Sequence, residues 1–206
     1  MLVNDHGPPV DTSILHSLNG FFVGHDAIED PVLAYVNAAE VLFAAVIVVL
    51  FAIGRGRWAV ARRAGVAAAA STGLALLLAK IVSTVVDRPR PFVTDPHGVH
   101  LFAAHAADPG FPSDHATAAF AIAVAVLLRN RPLGIVLTVL AAILAVGRVA
   151  IGVHYPTDVL GGAALGTLTA VALWAPPLRR LLDRLAAAAG GVFDGVLRRT
   201  TAAGRA

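Results

Sequence analysis

The sequence predicts an all-α protein, a polytopic membrane helix bundle of about five transmembrane helices plus short interfacial helices. Three observations carry this. Of 206 residues, 57% are hydrophobic and only 14% charged, against about 25% charged in ordinary soluble domains. The mean hydropathy is +0.76. Apolar runs of roughly the length a helix needs to cross a bilayer recur along the chain.

Residues 11–22, "DTSILHSLNGFF", read as a short interfacial helix, with a disordered tail as the alternative. Apolar spans follow at roughly 32–53, 64–86, 115–128, 133–151 and 158–175. The third is short and needs its polar entrance near Pro112 to count. "GAALG" at 162–166 suits close helix packing. Residues 178–199 set Leu178, Leu181, Leu182 and Leu185 at helical spacing among Arg179, Arg180 and Arg184, the pattern of a basic amphipathic helix at a membrane surface. The expected organisation is a membrane domain over 1–177 and a basic cytoplasmic tail over 178–206.

Charge orients these spans. The net charge of +3 rests on arginine, with Lys80 the only lysine. Arg55, Arg57, Arg62 and Arg63 fall between spans one and two, Arg129 and Arg131 between spans three and four, and Arg179, Arg180, Arg184, Arg198, Arg199 and Arg205 after span five. With five spans all three groups share one side, which the positive-inside rule makes cytoplasmic. The N-terminus and the loops 88–114 and 148–157 then face outward. No basic residue occurs in the first 31, so a secretory leader is not expected. Such an arginine distribution suits a membrane face rather than nucleic acid. The chain has no cysteine, which excludes disulfides, thiolate nucleophiles and cysteine metal sites.

Lys80, Arg88, Arg90 and Arg148 break the charge pattern, and they stand where other polar residues gather. "KIVSTVVDRPRPF" ends span two, "FPSDH" opens span three, and "GRVAIGVHYPTDV" joins spans four and five. Several guanidinium groups make a seat for a dense oxyanion such as phosphate. Ser113 and the first amides of span three add neutral donors at a positive helix end. His115 and His154 offer a proton donor and a nucleophile. Asp158, four residues past His154, can meet the imidazole if Pro156 opens a helix. A structural hydrogen bond alone is the plain alternative for that pair.

These clusters resemble the three-part signature of the type 2 phosphatidic acid phosphatase superfamily, in outline K-x6-RP, PSGH and SR-x5-H-x3-D. The third part matches from Arg148 through His154 to Asp158, the second as Pro112, Ser113, Asp114, His115. The chain departs from the pattern at Asp114, which replaces a glycine, and at Gly147, which replaces a serine. Lys80 stands eight rather than seven residues before Arg88, and "RPRPF" leaves Arg88 and Arg90 as equal counterparts of the family arginine. "FPSDHAT", "RPRPF" and "GVHYPTDVLGG" are most similar to the bacterial undecaprenyl pyrophosphate phosphatases of the bacitracin-resistance type.

The resemblance implies a metal-independent lipid phosphatase with no cofactor, acting on a polyprenyl diphosphate. His154 would be the nucleophile, Asp158 its orienting carboxylate and His115 the acid. Arg88, Arg90, Ser113, Asp114, Arg148 and Lys80 would form the phosphate site. It further implies a multi-pass protein of the bacterial inner membrane, its site facing outward and its C-terminus cytoplasmic. The expected partners are a lipid-linked phosphate and membrane lipids, with no nucleic acid. A glycerolipid phosphatase, a metal hydrolase using the outward histidines and a non-enzymatic transporter are the rival readings.

Overall fold

The computed structural model describes residues 9–203, and Arg205 lies outside them. The order is α1 (Pro9–Val23), α2 (Asp26–Ile53), a single 3-10 turn (Gly56–Trp58), α3 (Ala59–Val86), α4 (Pro91–Thr94), α5 (Asp114–Leu127), α6 (Arg131–Ala150), α7 (Pro156–Leu173) and α8 (Pro176–Ala203). No strand occurs among the described residues. The helices α2, α3, α6 and α7 are long and apolar enough to cross a membrane, and α5 is a shorter apolar helix. The chain is a multi-pass membrane bundle, in agreement with the expected fold class.

Local sequence explains the boundaries. Asp87 closes α3 in the left-handed region (φ 42°), and the two prolines of "RPRP" keep the helix from resuming. Ser113 caps α5 and accepts from the Ala116 amide. Asn130 caps α6 in the same way, with Pro132 in its first turn. Pro156 opens α7, preorganised for a helix start.

Helix α5 occupies the centre, packed against α3, α6 and α7. Ala116, Ala119, Ala121, Ala123 and Ala125 are all buried there, and their small side chains let neighbouring backbones approach. The closest approach is with α7. A Cβ added to Gly162 would meet the Ser113 carbonyl at 2.5 Å, and one on Gly166 would lie 2.8 Å from the Ala121 amide. The weak "GAALG" signal thus marks the helix pair that carries Ser113 and Asp158. On α2, Val36, Ala39, Phe43 and Leu50 face inward, while Val41, Leu42, Val48 and Val49 are exposed. The outer faces of α3 and α6 are apolar too, the surface expected against hydrocarbon.

The two ends of the bundle differ in character. At one, α8 folds back onto the start of α3. Buried Arg62 forks onto Asp194 at 3.0 and 3.1 Å, Arg55 adds a 2.9 Å contact, and Arg129 reaches Asp183 at 3.1 Å. Arg62 and, after it, Arg55 hold the Asp194 carboxyl below its ordinary range. At the other end lie the histidines, with α1 laid across them. Helix α1 buries Asp11, Leu15, Asn19 and Phe22. Asn19 donates to the carbonyls of His100 and Ala150 and accepts from the His100 amide, each at 2.8 Å. The expected interfacial helix is therefore a docked element of the bundle.

Candidate active site

The site is assembled where α3, α5 and α7 meet. Gly152 turns the chain from α6 toward α7 at φ +83°, a conformation costly for other residues, and a Cβ there would stand 2.6 Å from the His100 carbonyl. That turn delivers His154, 2% exposed, just ahead of Pro156. Its Nε2 lies 3.2 Å from Arg90 Nη1, and its Nδ1 lies 3.6 Å from Asp158 Oδ2. Burial, reinforced by the charges of Arg90 and Arg148, holds the imidazole well below its usual pKa. A neutral ring is the form a nucleophile requires, and the Nε2 lone pair here accepts from Arg90.

Asp158 is fully buried. Its Oδ2 accepts from the Tyr155 amide at 2.8 Å, and its Oδ1 accepts from Arg88 Nη1 at 2.8 Å. The i,i+4 spacing brings this carboxylate to 3.6 Å from His154 Nδ1, beyond hydrogen-bond length, and that buried nitrogen has no hydrogen-bond partner among the described residues.

The two arginines of "RPRP" separate. Arg90 lies against His154. It donates to the Val153 carbonyl at 3.1 Å and, through Nε, to the Asp108 carboxylate at 2.9 Å. That contact and the arginine's charge outweigh partial burial and lower the Asp108 pKa. Arg88 instead stands behind Asp158, donating to Asp158, Asp11 and Thr157 Oγ1 and covering the Tyr155 ring at 4.1 Å. The Arg88 fork is thus occupied by Asp158, Asp11 and Thr157, and Arg90 is the arginine of this pair that meets the His154 imidazole.

Arg148 is 5% exposed and donates through Nη2 to His105 Nε2 at 2.9 Å, while its buried Nε has no partner among the described residues. An unpaired buried donor costs about 1–3 kcal/mol, a cost that a bound anion would relieve. Ser113 is fully buried, and its amide donates to the Asp158 carbonyl at 3.0 Å, locking α5 to α7. His115, in the first turn of α5, lies within electrostatic reach of Arg148 and His154. Its Nε2 is 3.9 Å from Glu40 Oε2 on α2.

Asp114 is exposed at the start of α5, within electrostatic reach of Arg90, Asp108 and Lys80. The Lys80 ammonium, exposed on α3, makes no hydrogen bond or ion pair among the described residues. Together Glu40, Asp114 and His115 form the polar mouth of a cavity of about 450 Å³ between α2, α3, α5 and α6. Phe43, Ile47, Leu76, Ile122 and Leu144 line its apolar depth.

Two site members, Asp11 and Asp108, had no sequence signal, and His105 stood only among the outward histidines of the metal reading and as a loop residue. Asp11, Asp108 and His105 reach the cluster from α1 and from the 95–113 loop, and no spacing links them to the motifs. The His105 ring lies tilted at 51° to Phe92 (6.5 Å between centroids), and burial is the main force lowering its pKa. No three His, Asp or Glu side chains among the described residues are grouped as metal ligands would be.

Comparison with known proteins places this arrangement. The sequence model of the PAP2 superfamily matches residues 64–181. Undecaprenyl-diphosphatase BcrC of Bacillus subtilis is 35% identical over 146 residues, covering 70% of this chain and 72% of that protein. The bacitracin transport permease protein BcrC of Bacillus licheniformis is 37% identical over 105 residues, about half of each chain. Among solved structures, Aquifex aeolicus LpxE superposes with a TM-score of 0.62 at 23% identity, covering 84% of this chain and 98% of that one, a likeness of fold.

Proposed function

Because the chain belongs to the PAP2 superfamily, whose match spans 64–181 and includes every motif residue above, we propose that this membrane phosphatase removes the terminal phosphate of a polyprenyl diphosphate through a phosphohistidine at His154. The carrying observation is the buried His154 imidazole lying between Arg90 at 3.2 Å and the Asp158 carboxylate at 3.6 Å. Likeness to an undecaprenyl-diphosphatase supports the substrate class.

In this mechanism Nε2 of His154 attacks the terminal phosphorus. The P–O bond to the bridging oxygen breaks, and that oxygen leaves with the lipid monophosphate. Arg90, Arg148 and Ser113 hold the equatorial oxygens as their charge redistributes in the transition state. Asp158 steadies the positive charge that the ring acquires. His115 donates a proton to the leaving oxygen and later takes one from the water that hydrolyses the phosphohistidine, releasing inorganic phosphate. The arginines supply the positive charge, so the reaction proceeds without a metal. The apolar cavity beside His115 accommodates part of the isoprenoid chain. The site faces the outer side of the bacterial inner membrane, and the basic α8 end lies in the cytoplasm.

Two measurements test this reading. Wild type quenched during turnover carries an acid-labile, base-stable phosphoryl group, which His154→Ala lacks along with turnover. Asp158→Asn retains the adduct but lowers kcat by an expected two or more orders of magnitude, as loss of an orienting carboxylate does elsewhere. Retention of the adduct in His154→Ala would sink the nucleophile. Under one detergent condition, kcat/KM is expected to favour a polyprenyl diphosphate over phosphatidic acid and phosphatidylglycerophosphate. A tenfold preference for either glycerolipid, about 1.4 kcal/mol in transition-state binding, overturns the substrate. A chelator leaves the rate unchanged; loss restored by zinc defeats the metal-free reaction.

A further inference from the structure

The carboxylate of Asp11 has no place in the phosphate-binding set, yet it is among the most buried charges of the protein, at 3% exposure. It sits in the first turn of α1. Its Oδ2 accepts from Arg88 Nη2 at 2.9 Å and, in a short contact, from Thr157 Oγ1. Its Oδ1 accepts from the Thr157 amide at 3.0 Å. Both oxygens are therefore committed to the neighbourhood of Asp158.

Arg88 is the link. Its Nη1 donates to Asp158 Oδ1 at 2.8 Å and to Thr157 Oγ1 at 2.6 Å, while Nη2 is held by Asp11. One guanidinium thus divides its fork between two carboxylates. Only one oxygen of Asp158 is engaged by it; Oδ2, which accepts from the Tyr155 amide at 2.8 Å, stands 3.6 Å from His154 Nδ1. Arg88 alone would favour a bidentate grip on a single carboxylate, the preferred geometry of the pair. Asp11 opposes that grip by holding Nη2 away.

We propose that Asp11 is a positioning residue for the reaction. Resting on the reading of His154 as nucleophile, it acts through Arg88 to keep Asp158 Oδ2 directed at the imidazole. Removing its charge releases Nη2, and the guanidinium closes on both oxygens of Asp158. The imidazole then loses its orienting partner, while Arg90, Arg148 and Ser113 still hold phosphate. The consequence is a loss in kcat with KM nearly preserved, and dependence on Arg88 and Asp158.

The test uses the purified full chain, assayed in parallel with a polyprenyl diphosphate and with phosphatidic acid. Asp11→Asn is expected to lower kcat at least tenfold with KM within twofold, and Asp11→Glu to recover most of the loss. Asp11→Asn is then combined with Arg88→Gln and with Asp158→Asn. In either background the added loss is expected to be under twofold, because the path it acts through is already cut. A merely structural role, in which Asp11 only docks α1, gives the same loss in all backgrounds and overturns the proposal. So do an unchanged kcat, a loss carried by KM, or a Glu variant as impaired as Asn. A wild type inactive on both substrates removes the phosphatase reading and this one with it. An active wild type indifferent to Asp11 removes this one alone.

Discussion

At the scale of single residues, the proposed chemistry depends on keeping a histidine neutral beside two arginines. Burial first, and the guanidinium charges second, lower the pKa of His154. The sign is direct: a pKa below the usual value of about 6.5 means the ring is unprotonated, and competent to attack, at and below neutral pH. The acid limb of kcat/KM, which reports the free enzyme, is therefore expected below pH 6.5. Measuring that profile with the wild-type protein checks it; a limb at or above 6.5 assigned to His154 by its loss in a variant would contradict the burial argument. Sequence spacing pointed to His154, Asp158 and His115, and the structure sets all three at or just before helix starts. It could not separate Arg88 from Arg90. Two residues apart, they leave the chain on different sides, and the Asp11 that shares Arg88 with Asp158 lies 77 positions away from it.

The helices tell how such a centre is held in place. Ser113 and Asp158 come from different helices, and their registry depends on backbone contact between α5 and α7 rather than on side-chain volume. Gly166 and Gly73 make a matched pair of tests. At Gly166 an added Cβ would press on the Thr117 carbonyl and the Ala121 amide, and backbone cannot swing aside; at Gly73 nothing lies within 4 Å. Gly166→Ala is expected to destabilise by about 1–3 kcal/mol and to lower phosphate release as the helices part. Gly73→Ala is expected to be neutral or to stabilise by up to about 1 kcal/mol. Thermal melts in detergent compare the two, and equal melting temperatures would argue against the close contact. The short length of α5 follows from the same packing. Surrounded by α3, α6 and α7, it need not traverse hydrocarbon on its own account.

Across the whole molecule, hydropathy and arginine placement made the bundle legible, since lipid solvates one face of nearly every helix and leaves long apolar runs in the sequence. The docking of α1 and α8 was only half legible. Their amphipathic patterns foretold helices, but the ion pairs that seat them, Arg88 with Asp11 and Arg62 with Asp194, join residues with no periodic relation. The proposed orientation can be read with single cysteines in a chain that has none. Arg57 and His97 are exposed at opposite ends of the bundle. In intact cells, cysteine at position 57 is expected to be shielded from an impermeant thiol reagent and cysteine at 97 to be labelled. The reverse pattern would overturn the outward-facing site.

The bond between Asp11 and Thr157 spans 146 positions, joining the first described helix to the last apolar one. A ribosome therefore synthesises the carboxylate long before its partner exists. Thr157 and Asp158 do not yet exist while α2 to α6 are being made, so the start of α7 supplies both the seat of Asp11 and the carboxylate beside His154. On the proposed mechanism, a chain halted before His154 lacks the nucleophile and one halted before Asp158 lacks its orienting carboxylate, so partial products of synthesis carry no competent hydrolytic site into the bilayer.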